Sequence, residues 1–379
     1  MRTLLLTMVW LLAVGNTGFS AVTYESVSVP GVVITGVRST SSSTDDVVIT
    51  SSYTTGGVTN GAIYSGSLAA APSASVASWV PLTPVFSGQT VTSSTLYGPN
   101  TSLFTPSIGA GNVTAVGSYK YAEGSSGPGF DHGLLYKGSV LGGGTWTQID
   151  ATPLLTGGEN LLNTIGHSNM GDLVVGNYDT DITTGKAFIY NMNADTWFDL
   201  NPTGSKSVTA YGIWQNSSTS YTIAGGLSDV TSFGLDEGYL VNYDSSTGAL
   251  EHFKTFNYNN EPISSLVSHI DGITATPDGF NITGDYAEVG GGMGAFFGSI
   301  KVLPNGSFGE AAWTDIAFPG ATITSGNTVV GNTVFGVYGG APGGPSYIAT
   351  VPEPTSGSLC LLGAGLLLLR FHRGRRQAG

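Results

Sequence analysis

The residues of this chain with proton or metal chemistry in reach are five histidines and a surplus of carboxylates. The histidines are His132, His167, His252, His269 and His372, and no two stand at the H-x-x-x-H spacing of a zinc helix. Acids pair at Asp45/Asp46 and Asp179/Asp181 without the spaced Asp/Asn ladder of a calcium loop, and read as solvated turn residues. There is no G-x-S-x-G elbow and no G-x-x-x-x-G-K-[ST] phosphate loop. The tryptophan-bearing turns GGGTW and NADTW lack the S-x-D-x-G-x-x-W box. Glycoside hydrolysis needs two carboxylates about 5–10 Å apart. Glu123 and Asp131, in the long Gly-rich segment KYAEGSSGPGFD (120–131), are the first candidates, because such insertions often carry function. No motif calls for a cofactor or a metal, and the chain reads as a non-enzyme.

The elements that would position these residues recur. One phrase appears as ITSSY, AVGSY, VVGNY, IAGGL, ITGDY and VFGVY, centred on Ser51, Gly117, Gly176, Gly225, Gly284 and Gly336, at spacings of 66, 59, 49, 59 and 52. A second follows each (GAIYSG, HGLLYKG, KAFIYNM, EGYLVNYD, MGAFFGSI, PSYIATV). A third occurs five times (SWVPL, TWTQI, TWFDL, LEHFKTF, AWTDI). A fourth carries a glycine near its end (VITGV, TLYGP, NTIGH, TAYGI, HIDGI, TITSG). Each is a short apolar run bounded by turn residues and reads as a strand. Four strands per unit is a propeller blade.

The third phrase lacks its sixth copy, and the mature N-terminus VTYESVSVPG (22–31) can supply it. The expected fold is therefore all-β, with six four-stranded blades over residues 22–350 closed by the N-terminal strand. Five blades or a β-solenoid are the alternatives. Trp79, Trp146, Trp197 and Trp313 share one position and are expected to fill the wedge between blades rather than to stack sugars. The phrase-one glycines are expected to mark close backbone approach where blades crowd together.

Composition agrees: 57 glycines, 10% charged residues and 40% apolar residues in 379. Five of the twelve basic residues are Arg2, Arg370, Arg373, Arg375 and Arg376. That leaves seven in residues 21–350 against 24 acids, about −17. Such a surface repels nucleic acid and anionic headgroups. The lone cysteine, Cys360, excludes an internal disulfide.

The ends address the protein. Residues 1–21 read as a secretory signal peptide, with Arg2 before an apolar run from Leu4 to Val14 that is too short to span a bilayer. Residues 351–379 fall into three parts. The first is Val351-Pro352-Glu353-Pro354. The second is an apolar run holding Leu359, Cys360, Leu361, Leu362, Leu366, Leu367, Leu368 and Leu369. The third is the stop-transfer cluster Arg370, Arg373, Arg375 and Arg376. Counted from Ser356, the run covers about 21 Å as a helix, short of the roughly 30 Å hydrocarbon core, and reads as a weak or temporary transmembrane anchor. The arginines stay cytoplasmic.

This tail resembles the PEP-CTERM sorting signal. The resemblance implies export through the Sec translocon, handling by an exosortase whose nucleophilic cysteine belongs to that enzyme, and residence at the surface or in the matrix of an exopolysaccharide-making Gram-negative bacterium. A generic tail anchor is the alternative. The repeat cycle resembles the HAF repeats of extracellular propeller-like proteins. His132-Gly133-Leu134, Lys186-Ala187-Phe188 and Gly294-Ala295-Phe296 each keep part of that signature. It implies a propeller and transfers no chemistry.

The expected role is interaction with surface proteins or exopolysaccharide, with a carbohydrate hydrolase or lyase using the propeller funnel as the alternative. Replacing Pro352, Glu353 and Pro354 together by alanine is expected to leave the protein unprocessed in the inner-membrane fraction. Identical processing and location of variant and wild type would overturn the sorting assignment.

Overall fold

The structure, a computed structural model, describes residues 21–122, 130–201, 203–228, 236–340 and 345–353. Two units divide the chain: Tyr24–Ala349, and a second made of Met1–Thr23 with Thr350–Gly379. The second is described only at 21–23 and 350–353. Val351, Pro352 and Glu353 there have no regular secondary structure. Pro354, the apolar run and the arginine cluster lie outside the described residues, as does the signal peptide. Among the described residues no helix is long and apolar enough to cross a membrane, so the expected transmembrane helix receives no support.

The unit Tyr24–Ala349 is a six-bladed β-propeller. Among the described residues 24 strands form six antiparallel four-stranded sheets, and the helices are 3-10 turns of three to six residues. Five blades use consecutive strands: blade I runs over 32–82, II over 91–148, III over 161–200, IV over 207–256 and V over 266–316. Blade VI takes Ile323–Val330, Thr333–Gly339 and Ser346–Thr350, and its outermost strand is Thr23–Ser26. The N-terminal strand therefore stands where the missing third phrase belongs. Val27 N donates to Ser346 O at 2.9 Å, the Ser26 and Tyr338 hydroxyls meet at 2.9 Å, and Tyr24 Oη accepts from Ala317 N at 3.1 Å. Phrase four is the innermost strand of each blade, followed outward by phrases one, two and three.

Both faces of a blade are buried, which explains the unbroken apolar runs. In blade II, Ala115 and Leu134 pack toward blade I with Val48 and Ile63, while Val116 and Leu135 pack toward blade III with Val174 and Phe188. Period-two alternation thus feeds two cores at once. The third-phrase tryptophans join these cores. Trp79 is 1% exposed in the cluster linking blades VI and I. Trp146, Trp197 and Trp313 are half-buried against Tyr136, Tyr190 and Phe296 of their own blades, at 4.7, 4.5 and 5.0 Å between rings. Their role is packing.

The phrase-one glycines do mark close approach, but inside each blade rather than between blades. A Cβ on Gly117, Gly176, Gly225, Gly284 or Gly336 would overlap the carbonyl oxygen of Thr95, Ile165, Thr209, His269 or Ser325, each on the innermost strand of the same sheet. A backbone oxygen cannot swing aside as a side chain can. Gly225→Ala is expected to lower stability by about 1–3 kcal/mol, whereas Gly292→Ala, whose Cβ would meet nothing within 4 Å, is expected to be neutral in denaturant unfolding.

Candidate functional site on the propeller axis

Every innermost strand breaks register at one equivalent place: between Ile34/Gly36, Leu96/Pro99, Gly166/Ser168, Ala210/Gly212, Ile270/Gly272 and Gly326/Thr328. The residues inserted there include Thr35, Tyr97, His167, Tyr211, Asp271 and Asn327. A bulge re-aims the extra side chain, and all six line one cavity of about 210 Å³, together with His269 and Asp285. One position per blade thus lines the axial funnel. In blades II to VI the bulge stands opposite the phrase-one glycine, and the crowding carbonyl lies two residues before the bulge residue on the same strand.

The ring is chemically uneven. Blade V supplies the charge: His269 Nε2 lies 3.2 Å from an Asp271 oxygen and 3.8 Å from an Asp285 oxygen. Asp285 also accepts from Gly326 N at 2.6 Å and Ser325 Oγ at 2.8 Å, tying blade V to blade VI. Burial alone would lower the His269 imidazole, but Asp271 and Asp285 outweigh it and lift it to about 9. Burial, then the charge of Asp271, pushes Asp285 up to about 7 against the pull of His269 and its two donors. Burial raises Asp271 as well, and His269 draws it back.

Blades II to IV supply an aromatic wall. Ring centroids are 5.1 Å apart for Tyr97–His167, 4.6 Å for His167–Tyr211 and 5.6 Å for Tyr211–His269. Burial lowers His167 to about 4, with Nε2 facing Asn177 Oδ1, so this ring is neutral at pH 7. Burial lifts Tyr97 to about 12 and raises Tyr211 too. Both phenols therefore stay protonated. The arrangement offers acceptors on one side and ring faces on the other. The ligand atoms of His269, Asp271 and Asp285 lie within 4.8 Å of one another, a donor set of one nitrogen and two oxygens that suits a divalent cation.

The residues singled out by sequence lie elsewhere. Asp131 pairs with Lys120 at 3.2 Å and accepts from Ser118 Oγ at 3.0 Å, away from the cavity lining. Glu123 lies outside the described residues. Asp179 and Asp181 are loop ties: Asp179 accepts from Gly185 N at 2.7 Å, and Asp181 from Asn160 N and Nδ2 at 2.9 and 2.7 Å. His132 pairs with Asp150 at 2.8 Å, and His252 has a left-handed backbone at a register break within the outer strand of blade IV. The axial residues have a sequence signal that the motif search passes over. The residue beside the phrase-four glycine is Thr, Tyr, His, Tyr, Asp or Asn, chemically varied where its surroundings repeat.

No family model matches the chain, and no curated protein matches it. Among solved structures it is similar to the extracellular domain of a protein assigned as a one-component system from B. thetaiotaomicron, at 12% identity and TM-score 0.37, covering 87% of this chain and 40% of that one. It is also similar to an exo-β-1,3-galactanase from Clostridium thermocellum, at 10% identity and TM-score 0.38, covering 84% of this chain and 81% of that one. A third is YCF48 from Cyanidioschyzon merolae, at 11% identity and TM-score 0.35, covering 86% and 85%. The chain thus spans 40% of the length of the first of these.

His269 binds its proton more tightly folded than unfolded, so the stability it contributes is complete below about pH 6.5 and is lost as pH rises through about 9. Asp285, also raised, contributes in the same direction between about pH 4 and 7. His167, lowered, works oppositely between about pH 4 and 6.5. Above pH 6.5 only falling terms remain. Unfolding free energy is therefore expected to drop by about 1–3 kcal/mol from pH 6.5 to 9.5. His269→Gln is expected to flatten that slope, whatever its effect on absolute stability.

Proposed function

We propose that the chain is an exported β-propeller, sorted by an exosortase after passage through the Sec translocon and displayed at the cell surface or in the extracellular matrix. It works by binding, with the axial funnel as its ligand site. The observation that carries the binding reading is the convergence of six bulge residues, one per blade, on a single cavity. A volume of about 210 Å³ corresponds to roughly seven waters, the scale of one sugar ring. Asp271 and Asp285 would accept from neighbouring hydroxyls, and the wall of Tyr97, His167 and Tyr211 would cover an apolar ring face. A single unit of a surface polysaccharide meets these demands. A cation on His269, Asp271 and Asp285 would serve the same hydroxyls.

A second reading, glycan hydrolysis, is favoured by one measurement. Asp271 and Asp285 approach within 4.8 Å, near the roughly 5 Å spacing of retaining glycosidases. Against it, both acids stand on blade V with His269 between them, rather than flanking the space where a glycosidic bond would lie.

Titration of the full chain with oligosaccharides from the producing cell's own exopolysaccharide is expected to show saturable binding, weakened at least tenfold by Asp271→Asn. Absence of binding would sink the funnel reading. Release of new reducing ends by wild type, lost in Asp271→Asn, would replace it with the hydrolase.

A further inference from the structure

The axis has a second mouth. Beyond the bulge each innermost strand runs to the opposite end of the channel. Arg38 and Ser39 follow Thr35, Leu103 and Phe104 follow Tyr97, and Trp214 follows Tyr211. Thr274 follows Asp271, and Val330 follows Asn327. At about 3.3 Å per residue the two ends stand roughly 10 Å apart. The later set lines a cavity of about 340 Å³. Between it and the funnel lies a constriction of only about 20 Å³, room for about one water. A constriction of that size admits no sugar ring, so no single sugar spans both cavities.

Arg38 lines both that gap and the second cavity and is 5% exposed. Its Nη2 donates to Ile213 O at 2.9 Å. The remaining contacts are long, Nη1 to Ile273 O at 3.4 Å and Nη2 to Ser168 Oγ at 3.5 Å. Nε has no partner, and among the described residues no carboxylate pairs with the guanidinium. Burial holds its pKa down to about 10, which still leaves it charged at pH 7. A buried cation without a counter-ion is strongly disfavoured. In a chain with 25 acids, the lining of this cavity contains none.

What surrounds the cation narrows the ligand. Trp214 lies under the guanidinium at 5.3 Å, with Phe104 edge-on to its ring at 5.2 Å, and both are half-buried. Ser39, Ser41, Ser42, Thr44 and Thr274 add hydroxyls. We infer that this mouth binds a sugar acid of the uronic type, with its carboxylate toward Arg38, its ring against Trp214 and Phe104, and its hydroxyls on the serine and threonine lining. The acidic surface repels a long polyanion, while a single carboxylate reaches Arg38 inside the Debye length of about 8–10 Å. The ligand is therefore a free acid or one residue at a chain end.

The test is isothermal titration of the full chain with sodium glucuronate, with glucose as the neutral match and polygalacturonate as the polymer. Glucuronate is expected to saturate and to weaken as salt is added, and glucose is expected to bind at least tenfold more weakly. Leu103→Glu adds a like charge at a rim residue that is 39% exposed. It is expected to cut glucuronate affinity at least tenfold with the melting temperature unchanged. Polymer binding as tight per chain end as glucuronate assigns the site to chain ends, and weaker polymer binding assigns it to the free acid. Equal affinity for glucose, no saturation by glucuronate, or full affinity in Leu103→Glu overturns the inference. Loss of glucuronate binding in Asp271→Asn overturns it as well, by moving the acid to the funnel.

Discussion

One extra residue in each innermost strand sets the terms for the rest of this propeller. A strand paired without the bulge would turn its side chains alternately into the two cores that flank its blade. The insertion turns one side chain per blade to the axis instead and drives a carbonyl oxygen against the next strand. Only glycine fits beneath that oxygen in five of the six blades. Blade I keeps Ser51 there, whose Oγ faces Ala62 O at 3.4 Å. In those five blades the glycine and the axial side chain accompany one backbone event, while blade I keeps the bulge and its axial Thr35 without the glycine.

The axis then has to satisfy what it collects. Six strands bring polar side chains into a narrow space shielded from bulk water, where an unpaired group is expensive. Blade V resolves this locally, with His269 held between two carboxylates and Asp285 reaching to the backbone of blade VI. Arg38 resolves it across the channel, donating from blade I to the Ile213 carbonyl of blade IV. Asn169 of blade III ties to its neighbour, its amide nitrogen donating to Gly98 O of blade II at 2.8 Å. The Arg38 pin joins blades on opposite sides of the channel, and the Asp285 and Asn169 pins add polar ties between neighbours to the apolar clusters that join them.

Much of the architecture was legible because it is periodic. Four recurring phrases mapped onto the four strands of each blade, and the absence of a sixth tryptophan phrase pointed to Thr23–Ser26 as the strand that completes blade VI. The axial site was not legible in the same way. Asp271 and Asp285 are fourteen residues apart on adjacent strands, a separation that matches no ligand or catalytic motif, and Tyr97, His167 and Tyr211 meet only because three bulges coincide in space. The long insertion of blade II drew attention to Asp131 by its composition, yet Asp131 spends its charge on Lys120. Trp214 passed unnoticed because it belongs to no repeated phrase, and that singularity is what sets it apart from the packing tryptophans.

A closed channel with two unlike ends has a functional logic. The constriction beside Arg38 has room for about one water, so a sugar entering one mouth cannot leave by the other. The acids of the funnel and the cation of the opposite mouth occupy successive levels of one channel, and each is governed by its own surroundings. Burial alone lowers Arg38. Burial and the His269 charge act on both Asp271 and Asp285, with Asp271 and the blade VI donors acting on Asp285 as well. One fixed backbone therefore carries two chemically unlike sites, because successive residues of the same strands face different partners.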